Sequence, residues 1–242
     1  MINNSEKSNI TKSLKILSWD VGIYNLSYCI LEKNLVTNQI KILDWDIINL
    51  VDNEEMKKNR PLIFENIPRK LQEKQNLLDV DIVVIENQPS LKNPRMKSIQ
   101  MILYSYFLIL GKVIGNETTS SSSYIDKIDF CSASNKLKFY DGPEIILEEK
   151  PKRQKMQKMP EIINEETIIV EINENDNNEK PKKKSNKLKY SDKKRIAIEY
   201  AKYYIGLYDN ERLAFFNNHK KRDDLADSYL QGLYYIKKNC AI

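Results

Sequence analysis

A buried strand that ends on a carboxylate constrains this chain more than any other feature. Residues Leu14 to Leu31 read LKILSWDVGIYNLSYCIL. Leu14, Ile16, Leu17 and Trp19 form the mostly apolar run expected in the middle of a sheet. Asp20 ends that run, Gly22 permits a turn, and Leu26 to Leu31 reads as the returning strand. An unpaired buried charge is costly, so Asp20 is either a solvated turn residue or part of a site. The pattern recurs at Asp81 to Glu86 (DIVVIE), a second short apolar run that ends on an acid.

The other elements fall into place around these two. Gln39 to Ile47 alternates as a third strand and completes an antiparallel meander. Arg60 to Leu78 carries Ile63, Ile67 and Leu71 at helical spacing, with a potential kink at Pro68. After the Glu86 strand come a turn-rich loop, Asn87 to Pro94, and a long helix from about Arg95 to Ile114. A Ser/Thr-rich loop, Glu117 to Ser123, leads to a strand over Lys127 to Phe139 whose end is basic. Ser191 or Asp192 caps a helix running to about Ile205, and Arg222 to Lys238 forms the last helix. The expected class is α/β: a mixed sheet, antiparallel meander plus parallel strands, flanked by helices.

Residues 142–189 interrupt this pattern. They hold four of the eight prolines, no aromatic residue, an acidic centre and basic flanks. Such a segment cannot build a core and reads as a largely disordered insertion, with Glu166 to Ile172 as a candidate strand inside it. Residues 1–12 read as a disordered lead. One folded domain is expected from 13–140 and 190–242.

Composition removes several chemistries. His219 is the one histidine, and Cys29, Cys131 and Cys240 are far apart, so a zinc cage is not expected. Nothing near His219 suggests a Ser-His-Asp nucleophile. Met1 to Lys12 lacks the apolar core of a signal peptide, and the run Ser98 to Gly111 is short for a bilayer. A soluble intracellular protein without membrane or small-molecule partner is expected. The net charge of +5 suits a polyanionic partner without requiring one.

Asp224 and Asp227 lie three residues apart at the start of the last helix and so share a face. That pair serves either as a complement to the helix dipole or as part of a site. With Asp20 and Glu86 at strand ends, it forms the acidic set required for two-metal phosphodiester cleavage. Hard Mg²⁺ takes oxygen ligands, and two ions about 4 Å apart activate a water and stabilise the departing oxygen.

These residues also carry a family likeness. WDVGIYNLSYCIL at 19–31, VVIENQPSLKNPRMKSIQ at 83–100 and KKRDDLADSYLQG at 220–232 resemble the RuvC-like Holliday junction resolvases of the ribonuclease H-like fold, closest to the poxvirus type. The resemblance implies that Asp20, Glu86, Asp224 and Asp227 bind Mg²⁺ (Mn²⁺ can substitute), with Asp223 able to trade roles with Asp224. It implies lysines near the scissile phosphate, for which Lys136, Lys138, Lys193 and Lys194 are candidates. It further implies a homodimer that cuts opposed strands of a four-way DNA junction, recognised by shape and backbone. The source it suggests is a large DNA virus replicating in the host cytoplasm. Three other readings compete with this one. One is a nuclease of the same fold acting on RNA–DNA hybrids or flaps. Another is a nucleic-acid-binding module that does not cut. An actin-like ATPase would need a second copy of the motif and more Gly-rich loops than six scattered glycines supply.

Overall fold

The computed structural model describes residues 13–91, 93–114, 124–145 and 190–240. The expected lead at 1–12, the loop at 117–123, Lys92 and most of the insertion, including its candidate strand and its basic flank at 182–189, lie outside the described residues.

Five strands form one mixed sheet. They are β1 (Ser13–Val21), β2 (Asn25–Asn34), β3 (Ile40–Asn49), β4 (Ile82–Asn87) and β5 (Lys127–Ser132), in the order β3-β2-β1-β4-β5. The first three pair antiparallel as a meander, and β4 and β5 add parallel to β1. Gly22 makes the β1–β2 turn: a Cβ there would stand 2.5 Å from the Asn25 carbonyl oxygen.

Period-two alternation assigns each strand's residues to a layer. Leu17, Trp19, Val21, Val83 and Ile85 face a core built with α1 (Glu54–Lys58), α2 (Arg60–Gln72) and α3 (Pro94–Phe107). Ile16, Val84 and Cys131 face the opposite core, built with α4 (Tyr190–Tyr208), α5 (Leu213–Asn218) and α6 (Arg222–Asn239). Asp20 and Glu86 share the parity of this second set, so their sequence positions direct both toward α6.

Two elements end sooner than the sequence expectation, and the long helix after β4 keeps its expected bounds. The second helix stops at Gln72, and a separate 3-10 turn, Gln75–Leu78, follows. That turn is anchored on β3: Lys74 pairs with Asp46 at 2.9 Å and Asn76 donates to Asp44 at 2.6 Å. The fifth strand ends at Ser132 instead of continuing to Phe139. Ser132, Ser134 and Asn135, short side chains that compete for backbone partners, divert the chain into a 3-10 turn at Ala133–Asn135. The long third helix continues past Phe107 as a π-helical segment, Leu108–Ile114. Together Pro94–Ile114 is long and apolar enough to cross a membrane by length and composition, beyond the shorter run expected. Its inner face, Ile99, Leu103 and Phe107, is fully buried against the sheet.

Helix α6 lies unusually close to β1 and β2 because small residues line the contact. A Cβ at Gly232 would sit 2.9 Å from Leu31 Cδ1 and 3.0 Å from Ser18 Cβ. Ser228 meets Ser27 at 2.9 Å, and Trp45 Nε1 donates to the Leu225 carbonyl at 3.1 Å.

Candidate active site

Three acids converge on one ammonium. Lys136 Nζ stands 2.6 Å from Asp20 Oδ1, 3.1 Å from Glu86 Oε1 and 3.5 Å from Asp227 Oδ2. Each acid arrives on a different element. The parallel register pairs Trp19 with Ile85, so Asp20 and Glu86 follow side by side at the ends of β1 and β4. Asp227 comes from the first turns of α6. Lys136 reaches them because the chain bends after Ser132; a strand continuing to Phe139 would have carried it past the site.

The cluster is short of positive charge even with the lysine in place. Burial pushes Glu86 up to about 7, against the Lys136 ammonium and with help from Asp20. Burial likewise moves Asp227 up to about 6. Burial alone would lower Lys136, but Asp20, Asp227 and Glu86 outweigh it and hold its pKa above the usual value. Asp224 sits one turn before Asp227. Its carboxyl is raised by burial and by the charges of Asp223 and Asp20. Asp223 turns the other way: burial would raise it, but Lys194, 2.5 Å away, holds it low.

The four sequence-selected acids therefore lie at one end of the sheet, three of them around Lys136. The four candidate lysines separate. Lys136 is buried among the acids, and Lys194 pairs with Asp223. Lys138 is exposed and donates to Asn135 at 3.1 Å. Lys193 is exposed, and among the described residues neither it nor Lys138 pairs with a site acid.

Three glutamines that sequence reasoning passed over support the acids. Gln88 Nε2 donates to Glu86 Oε2 at 2.7 Å. The Gln88 backbone N–H in turn donates to Gln100 Oε1 at 2.8 Å, which also accepts from Lys97 Nζ at 3.2 Å. Gln231, fully buried one turn beyond Asp227, donates to the Trp19 carbonyl at 2.9 Å and to Ser18 Oγ at 3.2 Å. It thus ties the helix carrying Asp227 to the strand residue just before Asp20. The usable signal was its spacing, four residues from Asp227 on the same face. Gln231→Leu leaves that carbonyl without its amide donor, and a loss of about 1–2 kcal/mol is expected in urea unfolding. An unchanged midpoint would show that the amide does not hold the helix.

The donor set fits a hard divalent cation. Every converging ligand atom is a carboxylate oxygen, and a cation already stands among them in the form of the Lys136 ammonium. Among the described residues no three acids, cysteines or histidines form a ready-made metal cage.

No protein-family model matches the chain. An uncharacterised protein of Acanthamoeba polyphaga mimivirus is 33% identical over 161 residues, which is 66% of this chain and 30% of that protein. The chain thus spans about a third of that relative's length. Among solved structures, the yeast mitochondrial Holliday junction resolvase superposes with a TM-score of 0.52 at 16% identity, covering 95% of this chain and 82% of that one. The chain has the ribonuclease H-like fold of that resolvase. The fowlpox virus Holliday junction resolvase overlaps 93% of this chain and 98% of its own, with a TM-score of 0.49 at 16% identity. In this fold the acid–lysine cluster sits at the ends of the adjacent central strands β1 and β4.

Proposed function

We propose that this protein is a metal-dependent Holliday junction resolvase, an endonuclease that cuts opposed strands of four-way DNA junctions. The observation that carries the reading is the Lys136 ammonium held by Asp20, Glu86 and Asp227 from three separate elements. A fold needing only stability would not gather three carboxylates around one ammonium at one strand end.

In this reading Asp20, Glu86, Asp224 and Asp227 hold Mg²⁺, or Mn²⁺ in its place. When bound, the metal supplies an acidified water and positive charge for the phosphoryl oxygens. Asp20 and Asp227 are the principal ligands. Glu86, buried and held through one oxygen by Gln88, positions the attacking water. Gln88 keeps one Glu86 oxygen engaged, leaving the other for the reacting side. Lys136, freed from the acids, holds its proton at Nζ beside the departing oxygen. Lys194 and Lys221, paired with Asp223 and Asp224 on α6, are close enough to contact flanking phosphates.

A homodimer would supply two such sites for two opposed cuts. Its support is the outer face of α3 and its π extension, where Met101, Ile109, Val113 and Ile114 are exposed beside an apolar groove that includes Pro68 and Tyr106. The mimivirus relative supports a large DNA virus as the source.

A substrate panel tests the reading. An immobile four-way junction should be cut in Mg²⁺ at least about tenfold faster than a linear duplex or an RNA–DNA hybrid, a margin worth about 1.4 kcal/mol in the barrier. Preferential cutting of the hybrid would keep a nuclease but move its substrate to RNA. Junction binding without cutting of any substrate would leave a binding module.

A further inference from the structure

A second cationic station lies across the sheet from Lys194 and Lys221. Tyr24, Lys57, Arg60 and Arg95 line a small notch floored by the buried Ile63 and Ile99. Tyr24 belongs to the turn that leaves Asp20, and Arg95 to the helix start reached by the loop that leaves Glu86. The notch therefore opens at the same end of the sheet as the acids, on the α2–α3 side. Lys57 pairs with Glu54. Among the described residues Arg60 and Arg95 have no carboxylate partner. The Tyr24 ring is 42% exposed at the rim.

Two guanidinium groups without a carboxylate partner among the described residues, lining one notch over an apolar floor, repel each other. Their planar forks match carboxylate or phosphate, and beside a phosphodiester-cleaving site the phosphate is the anion at hand. An exposed aromatic ring beside them adds a face for a sugar or an unstacked base. We infer that Arg60 and Arg95, with Lys57 and Tyr24, form a phosphate-gripping subsite for the DNA strand on the α2–α3 side of the acids. A strand laid across Asp20 and Glu86 is then held on both flanks, by this notch on one side and by Lys194 and Lys221 on the other. The subsite rests on the nuclease reading and deepens it by locating where the substrate backbone runs.

The test is the salt dependence of junction binding in EDTA, which separates binding from cleavage. Each lost phosphate contact reduces the slope of log K against log [salt] by about 0.9, so Arg60→Gln/Arg95→Gln should flatten it by about two. Affinity near 0.15 M salt should fall on the order of tenfold or more, as for loss of charged hydrogen bonds. Arg60→Lys/Arg95→Lys, which keeps the charges, should retain most of the slope. Both residues are exposed, and an unchanged melting temperature would show that neither change acts through folding. A wild-type slope in the Gln variant would overturn the subsite while leaving the nuclease reading intact. No salt-dependent binding of the wild type to junction, duplex or single strand would overturn both.

Discussion

Asp20→Asn and Asp227→Asn should each slow junction cleavage by about 10³-fold or more at saturating Mg²⁺, while junction affinity in EDTA changes little. The expectation follows from charge placement. Each amide keeps the shape of the carboxylate but removes the negative charge that faces a hard cation and the Lys136 ammonium. Removing one electrostatic group from a reacting centre costs about 10²–10³ on its own, and losing the metal costs more. Single-turnover rates with filter-binding affinities measured alongside check this. Near-wild-type cleavage by either variant would mean that the acids are not the reacting centre.

The second large effect concerns Lys136. Lys136→Met leaves the buried Glu86 and the partly exposed Asp20 and Asp227 without their cation, and breaking a buried ion set by removing one partner costs about 3–5 kcal/mol, with the exposed members contributing less. The metal-free variant should therefore melt well below the wild type at pH 7.5. Mg²⁺ should restore much of the difference, because it replaces the missing charge. The pH dependence has a definite sign. Glu86 binds its proton more tightly in the fold, at about 7 against an ordinary 4.5. Its contribution is thus present at low pH and lost as pH rises through about 7. Ionising it costs the metal-free fold about 3 kcal/mol on a scale of about 1.4 kcal/mol per pKa step. Asp227 adds in the same direction, less because its side chain is a third exposed at 32%. Glu86→Gln should accordingly stabilise the metal-free protein at pH 8 and leave it nearly unchanged at pH 4.5. Calorimetric melting across pH, with and without Mg²⁺, checks both variants. Equal Mg²⁺ stabilisation of wild type and Lys136→Met at pH 7.5 would show that lysine and metal do not share a place.

The sequence made the sheet and its acids legible for a simple reason. LKILSWD and DIVVIE are short apolar runs that each end on an acid, which marks two buried strands and puts Asp20 and Glu86 at their ends. Spacing on the last helix gave Asp224 and Asp227 a common face in the same way. What escaped notice depended on tertiary detail. Lys136 was one of four candidates, because its approach to the acids comes from a bend at Ser132 that β-propensity extends straight through. Gln88, Gln100 and Gln231 look like ordinary polar residues until packing buries them against acids and backbone carbonyls. Helices α1 and α5 are too short for a periodic signal, though Asn53, which caps α1 by accepting from the Met56 N–H, was a usable cue.

The measurement that bears most directly on the whole account is strand-resolved cleavage of an immobile four-way junction. The protein and junction are mixed in EDTA, and excess Mg²⁺ starts the reaction. The expected result is no cutting before Mg²⁺ and paired nicks at matching positions on two opposed strands after it. Intact strands in both Mg²⁺ and Mn²⁺, with the junction still bound, would contradict it.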